Sequence, residues 1–160
     1  MYVRSVPKRT GEEADAEKLA AMAKLRHLAI VVNDLEASAS FYEKIFDMTR
    51  AYESKGRAIY LTDGLMNLAL LSSANTRSGG SDGVPTHGVS HFGFCVPDFA
   101  PVEAALTEAG ATYAYDLGDP AGMNYERKWR DPEGILFDVS EKGWYGAFDE
   151  TAAEKQSSRT

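Results

Sequence analysis

Cysteine is nearly absent from this chain: Cys95 stands alone. No intramolecular disulfide can form, and a cytoplasmic setting is expected. Long apolar runs are missing as well. No stretch approaches the roughly 20 apolar residues that cross a bilayer as a helix, so no membrane partner is expected. The first residues carry charges with no apolar segment behind them, so no secretory leader is expected either. Basic charge is scarce: 17 Lys and Arg stand against 24 Asp and Glu, a net charge of −7. That balance does not suit a phosphate backbone, and no nucleic-acid partner is expected. What the chain does have is 44% hydrophobic and 26% charged residues over 160 positions, the mixture of one globular domain.

An internal repeat organises the chain. Leu25-Arg26-His27-Leu28-Ala29-Ile30-Val31-Val32-Asn33-Asp34-Leu35 aligns with Val89-Ser90-His91-Phe92-Gly93-Phe94-Cys95-Val96-Pro97-Asp98-Phe99, at an offset of 64 residues. In both copies an apolar run follows His, and Asp closes it. The run reads as a buried strand. Asp34 and Asp98 stand where a helix N-cap belongs, because a carboxylate accepts from the free N–H groups of a first turn. Leu35, Ser38, Tyr42 and Ile45 recur at helical spacing after the first, Phe99, Val102, Leu106 and Ala109 after the second, and Gly110 is a fitting stop. Three short strands then follow in each copy, near 48–53, 57–62 and 66–72, and near 111–116, 124–130 and 135–140, with Asp63-Gly64 and Asp131-Pro132-Glu133-Gly134 as turns. The plan is thus two βαβββ modules, 24–72 and 89–142, joined by a polar linker over 73–88. Residues 1–23 form an extension with a short helix expected over 16–23, and 143–160 a tail.

Alternation assigns faces. Leu28, Ile30 and Val32 share one face of the first strand and His27, Ala29 and Val31 the other; Phe92, Phe94 and Val96 oppose His91, Gly93 and Cys95. The bulky sets belong under helices. Ile135, Phe137 and Val139 follow them, which leaves Asp138 on the side of the two histidines. A carboxylate among core residues costs several kcal/mol unless it is paired, hydrogen-bonded or metal-bound. Two imidazoles and a carboxylate converging on one face form a metal-ligand set, and Fe, Mn, Zn, Ni or Co all accept such donors. A solitary strand histidine is more often structural; two at equivalent repeat positions beside an intruding Asp shift the balance.

Other polar residues are candidates by position. Tyr125-Glu126-Arg127-Lys128-Trp129-Arg130 is a strand rich in charge, half of which faces the cavity. Glu126 is the candidate general base, and Arg127 or Lys128 the candidate grip on an anionic substrate; an ion-paired edge strand is the plainer alternative. Tyr60 and Asn67 are candidate substrate contacts. His87 reads as an exposed linker residue and Cys95 as a small buried one. Gly143-Trp144-Tyr145-Gly146-Ala147-Phe148 is too aromatic for a free tail and should cover the sheet, the cavity mouth or a partner chain.

The His-strand-Asp-helix opening, its recurrence at His91 and the closing Asp131-Pro132-Glu133-Gly134-Ile135-Leu136-Phe137-Asp138 resemble the vicinal oxygen chelate superfamily, over roughly residues 24–142. That superfamily includes glyoxalase I, bleomycin resistance proteins, extradiol dioxygenases, methylmalonyl-CoA epimerase and fosfomycin resistance enzymes. The resemblance implies an α+β fold in which two βαβββ modules form a curled, eight-stranded mixed sheet around a metal-binding cavity. It implies a divalent metal held by His27, His91 and Asp138, and an enzyme — lyase, isomerase or ring-cleaving dioxygenase — acting on a small oxygenated molecule chelated to that metal. Two departures bear on the reaction. Asp138 stands where the family usually has Glu, and Ala69 stands where glyoxalase I has a second carboxylate, which implies poor glyoxalase I activity. A non-catalytic binding protein of the bleomycin-resistance type is the alternative, disfavoured because such proteins lack the metal ligands; a fold kept only for interaction is a third. The resemblance also implies a homodimer, with each site either inside one chain or shared between two.

Overall fold

A computed structural model describes residues 23–76 and 87–147. The helix expected over 16–23 lies, apart from Ala23, outside them, as do most of the linker and the polar tail. The described chain runs β1 (Lys24–Val32), α1 (Leu35–Phe46), β2 (Thr49–Ser54), β3 (Ala58–Thr62), β4 (Asn67–Ser72), a single helical turn α2 (Ser73–Thr76), β5 (Gly88–Cys95), α3 (Phe99–Glu108), β6 (Thr112–Leu117), β7 (Glu126–Arg130) and β8 (Leu136–Ser140). The expected strands and helices are present to within two residues. The linker is not wholly irregular, since α2 opens it.

Both helices start as their caps dictate. Asp34 is extended and its carboxylate accepts from Ala37 N at 2.9 Å; Asp98 accepts from Ala100 N at 2.9 Å. Gly110, at φ +87°, follows the end of α3 in a conformation that glycine adopts without strain.

The eight strands form one open mixed sheet, ordered β2-β3-β4-β1-β5-β8-β7-β6. Within each module the first strand lies parallel to the last, β1 to β4 and β5 to β8, and the modules join where β1 meets β5 antiparallel. Ala29 faces His91 and His27 faces Gly93 across that seam, with irregularities beside both pairs that bend the strands. Both histidines are therefore brought to the middle of the sheet by backbone pairing alone.

The helix-bearing face holds the core in two halves. Val32, Ile59, Leu61, Leu68 and Leu70 pack under α1 with Ala39, Leu28 and Ile30; Val96, Trp129, Phe137 and Val139 pack under α3 with Phe92, Phe94, Val102 and Leu106. Burying each large aliphatic side chain contributes about 1.5–3 kcal/mol. Ile135 departs from expectation. It is 52% exposed and precedes β8. Asp131 Oδ1 accepts from the N–H groups of Glu133 and Ile135, which draws Ile135 into the turn instead of the strand.

Candidate metal centre

The opposite face carries a cluster of buried polar side chains. His27 comes from β1, His91 from β5, Glu126 and Lys128 from β7, and Asp138 from β8; none is more than 8% exposed. One ligand atom from each of His27, His91, Glu126 and Asp138 lies within 4.8 Å of the others.

Asn67 sets the chemistry of His27. Its Nδ2 donates to the Tyr145 carbonyl at 2.7 Å, so its Oδ1, 2.7 Å from His27 Nδ1, can only accept. The imidazole therefore carries its proton on Nδ1 and turns the Nε2 lone pair into the cluster. Burial lowers the His27 pKa to about 4, so the ring is neutral at pH 7. His91 Nδ1 meets Ser90 Oγ at 2.9 Å, and its Nε2 lies 3.3 Å from His27 Nε2. Asp138 Oδ2 is 3.1 Å from His91 Nε2, yet it is buried and accepts no well-formed hydrogen bond.

These are the features of a metal site. Metal bonds of about 2.0–2.2 Å to nitrogen and oxygen place neighbouring donors roughly 3 Å apart, and the two measured separations match that. The neutral His27 lone pair, the convergent imidazoles and the orphaned carboxylate oxygen all suit a divalent ion.

The cluster also has its own cation. Lys128 Nζ lies 2.7 Å from Asp138 Oδ1, 3.1 Å from Glu126 Oε2 and 3.5 Å from His91 Nε2. Burial works against its charge, but Glu126 and Asp138 outweigh that and raise its pKa. Burial likewise works to raise the Asp138 carboxyl, and His91 and Lys128 hold it below the usual value instead.

Trp144 closes the cluster. Its indole is fully buried, stacks on His27 with ring centres 4.6 Å apart, and donates from Nε1 to Glu126 Oε1 at 2.6 Å. Gly93 makes room for it: a Cβ there would come within 2.7 Å of the indole. Ser140 anchors the loop that carries it, donating to the Tyr125 carbonyl and accepting from Gly143 N.

The structure brings His27, His91 and Asp138 to one face of the sheet, and Glu126 from β7 joins them there. Asn67 is present too, but with both ends of its amide engaged it orients His27 instead of presenting itself to a substrate. Tyr60 lies beside Tyr52 and Tyr145, with ring centres 5.9 and 5.6 Å away. Burial, helped by the charge of Glu126, raises its pKa to about 12. Arg127 is not at the site. It lies on the helix side, bonded to Glu103 at 2.6 Å and Asp116 at 3.3 Å and set over the Phe99 ring. Residues 126 and 128 face the cluster, so 127 cannot. His87 is exposed and Cys95 buried. Trp144 was visible in sequence only as part of an aromatic stretch; its contact with His27 depends on the fold of the loop.

Register also ranks the two modules. Ala69 faces Ala29 as Asp138 faces Gly93, and Tyr60 faces Ala69 as Lys128 faces Asp138. The first module thus contributes His27 and neutral residues, and the second contributes His91 and every charge.

A family model described as the Glyoxalase/Bleomycin resistance protein/Dioxygenase superfamily matches residues 24–139. A search of curated proteins finds no match. Among solved structures, methylmalonyl-CoA epimerase from Mycobacterium tuberculosis is similar at 18% identity with a TM-score of 0.59, over 81% of this chain and 91% of that one. The hypothetical protein BH1468 from Bacillus halodurans C-125 is similar at 16% identity and a TM-score of 0.58, over 73% and 92%. A variant of homoprotocatechuate 2,3-dioxygenase from B. fuscum is similar at 22% identity and a TM-score of 0.54, over 78% of this chain but only 33% of the dioxygenase. At these identities the likenesses show a shared fold. The family model spans most of the chain, and the chain belongs to the glyoxalase/bleomycin resistance protein/dioxygenase superfamily, the vicinal oxygen chelate group that its repeated His motif resembles.

Proposed function

We propose that this chain is a metal-dependent vicinal oxygen chelate enzyme that moves a proton on a small oxygenated substrate, as a lyase or isomerase does. His27, His91 and Asp138 would hold the divalent ion, and Glu126 would act as the base. The observation that carries this reading is the inward-turned His27 lone pair beside the buried, unsatisfied Asp138 oxygen. When bound, the ion supplies Lewis acidity to adjacent substrate oxygens. Glu126 sits against the cluster at 3.9 Å from His27, oriented by the Trp144 N–H. A carboxylate so placed can take a proton from a carbon next to a polarised carbonyl. Asn67 fixes the His27 tautomer, and Trp144 excludes water from the reacting groups.

A second reading has an observation in its favour. Lys128 already compensates two carboxylates and Trp144 already seals the cluster, an arrangement that suits a closed polar network in a binding protein. Incubating the metal-loaded protein in heavy water with a panel of hydroxy-carbonyl and dicarbonyl compounds separates the two. The enzyme reading expects deuterium at carbon in at least one compound, slowed about 100-fold or more in Glu126→Gln. Binding without exchange or turnover would favour the second reading, and wild-type exchange in Glu126→Gln would remove Glu126 from its role.

We further propose that the protein works in the cytoplasm as a two-fold homodimer. The tail aromatic Trp144 faces inward, so it offers a partner no surface. Phe41, Ile45 and Phe46 on α1 are exposed and supply one instead.

A further inference from the structure

Lys128 is placed unusually for a residue that merely supports ligands. A supporting group touches a ligand from behind, on the atom that does not face the ion. The Lys128 ammonium instead reaches three of the four clustered donors: Asp138 Oδ1, Glu126 Oε2 and His91 Nε2, at 2.7, 3.1 and 3.5 Å. Its side chain is 3% exposed, so these contacts replace water as its surroundings. The His91 nitrogen it approaches is the one that also faces His27 Nε2 and Asp138 Oδ2. The cation therefore borders the donor cage, 3.5 Å from the His91 nitrogen that faces the other donors and bonded to the Asp138 oxygen beside the unsatisfied one.

We infer that Lys128 is a tethered counter-ion that borders the donor cage of the metal-free protein and competes with a divalent ion for His91 and Asp138. The inference rests on the metal-binding reading above. An ammonium group and a divalent ion cannot share the His91 Nε2 lone pair, and two cations packed together without water between them, one on each oxygen of Asp138, repel strongly. Metal entry therefore requires the ammonium to withdraw, which a flexible four-carbon stem permits. Withdrawal also releases Glu126 from its ion pair, which ties metal loading to the freeing of the proposed base. Without metal, Lys128 keeps two buried carboxylates from standing uncompensated.

Lys128→Met tests this, with Arg127→Met as the control. Arg127 is the adjacent residue and carries the same charge, but it faces Glu103 and Asp116 on the other side of the sheet. Each protein is stripped with chelator and titrated with Mn(II) or Zn(II) alone by calorimetry, and melting is followed with and without the ion. Lys128→Met should bind at least 10-fold more tightly than wild type and melt lower without metal. Its melting temperature should rise on metal addition by more than that of wild type. Arg127→Met should bind within about threefold of wild type. If Lys128→Met is unfolded without metal, added ion should restore its circular dichroism; if it folds under neither condition, Lys128→Gln takes its place in the same comparison. Affinity in the Lys128 variant equal to or weaker than wild type, or an equal gain in Arg127→Met, overturns the inference. Wild-type binding with no gain in the variant defeats this inference and leaves the metal-binding reading standing. Binding by the variant alone upholds the competition at these donors and defeats the metal-dependent function proposed for the wild type, and binding by neither defeats both.

Discussion

Asp138 and Tyr60 illustrate how pseudo-equivalent scaffolds acquire different chemistry one residue at a time. Asp138 is fully buried and depends on Lys128 and His91 for compensation, whereas its counterpart Ala69 needs none. Tyr60 occupies the place that Lys128 holds in the second module, and there burial favours the neutral phenol. The sign of the resulting pH effect follows. The folded pKa, about 12, lies above the ordinary tyrosine value of 10.0, so the unfolded chain releases this proton first. The associated stability, roughly 2–3 kcal/mol, is fully present below pH 10 and is lost as pH rises toward 12. Subtracting the near-ultraviolet absorbance titration of Tyr60→Phe from that of wild type should isolate a phenol that ionises near pH 12. A difference transition near pH 10 would mean that Tyr60 is solvated.

Strands β1, β5 and β8 were legible in the sequence because each carries a short apolar run whose alternation separates the bulky core residues from the face of His27, His91 and Asp138. Strand β7 was less legible. Glu126, Arg127 and Lys128 are all charged, and nothing in their order says which pair faces inward until the register Lys128↔Asp138 is known. That is why Arg127 was misplaced. The loop over 143–147 was harder still. Its aromatic content marked it as a covering element, but Trp144 reaches His27 because its neighbours Gly143 and Tyr145 donate to Ser140 and Asn124 and because Gly93 leaves room for the indole. Gly93 is the test of that loop. A methyl group there would meet the indole at 2.7 Å, and overpacking of this kind costs about 1–3 kcal/mol. Gly93→Ala should lower stability in urea by that amount and shift the Trp144 fluorescence as the indole leaves His27. An unchanged midpoint and spectrum would show that Trp144 does not pack there.

At the scale of the whole molecule, pairing of β1 with β5 puts both histidines in one continuous sheet, so every donor in the cluster belongs to a single chain. That choice was open in the sequence, because a linker over 73–88 suits either arrangement. A homodimer should therefore carry two independent sites. Mixing His27→Ala with Asp138→Ala chains under conditions that exchange subunits should restore no metal binding; recovery of about half the wild-type content, one intact site per mixed dimer, would reveal sites shared between chains. The central proposal is that this chain holds a divalent ion at His27, His91 and Asp138, whose donor atoms the fold clusters. Elemental analysis of protein purified without chelator addresses it most directly. The account predicts about one divalent ion per chain in wild type and a loss of stoichiometric metal in a folded His91→Ala variant. A wild type that takes up no ion when offered one, or a His91→Ala variant with undiminished content, would contradict it.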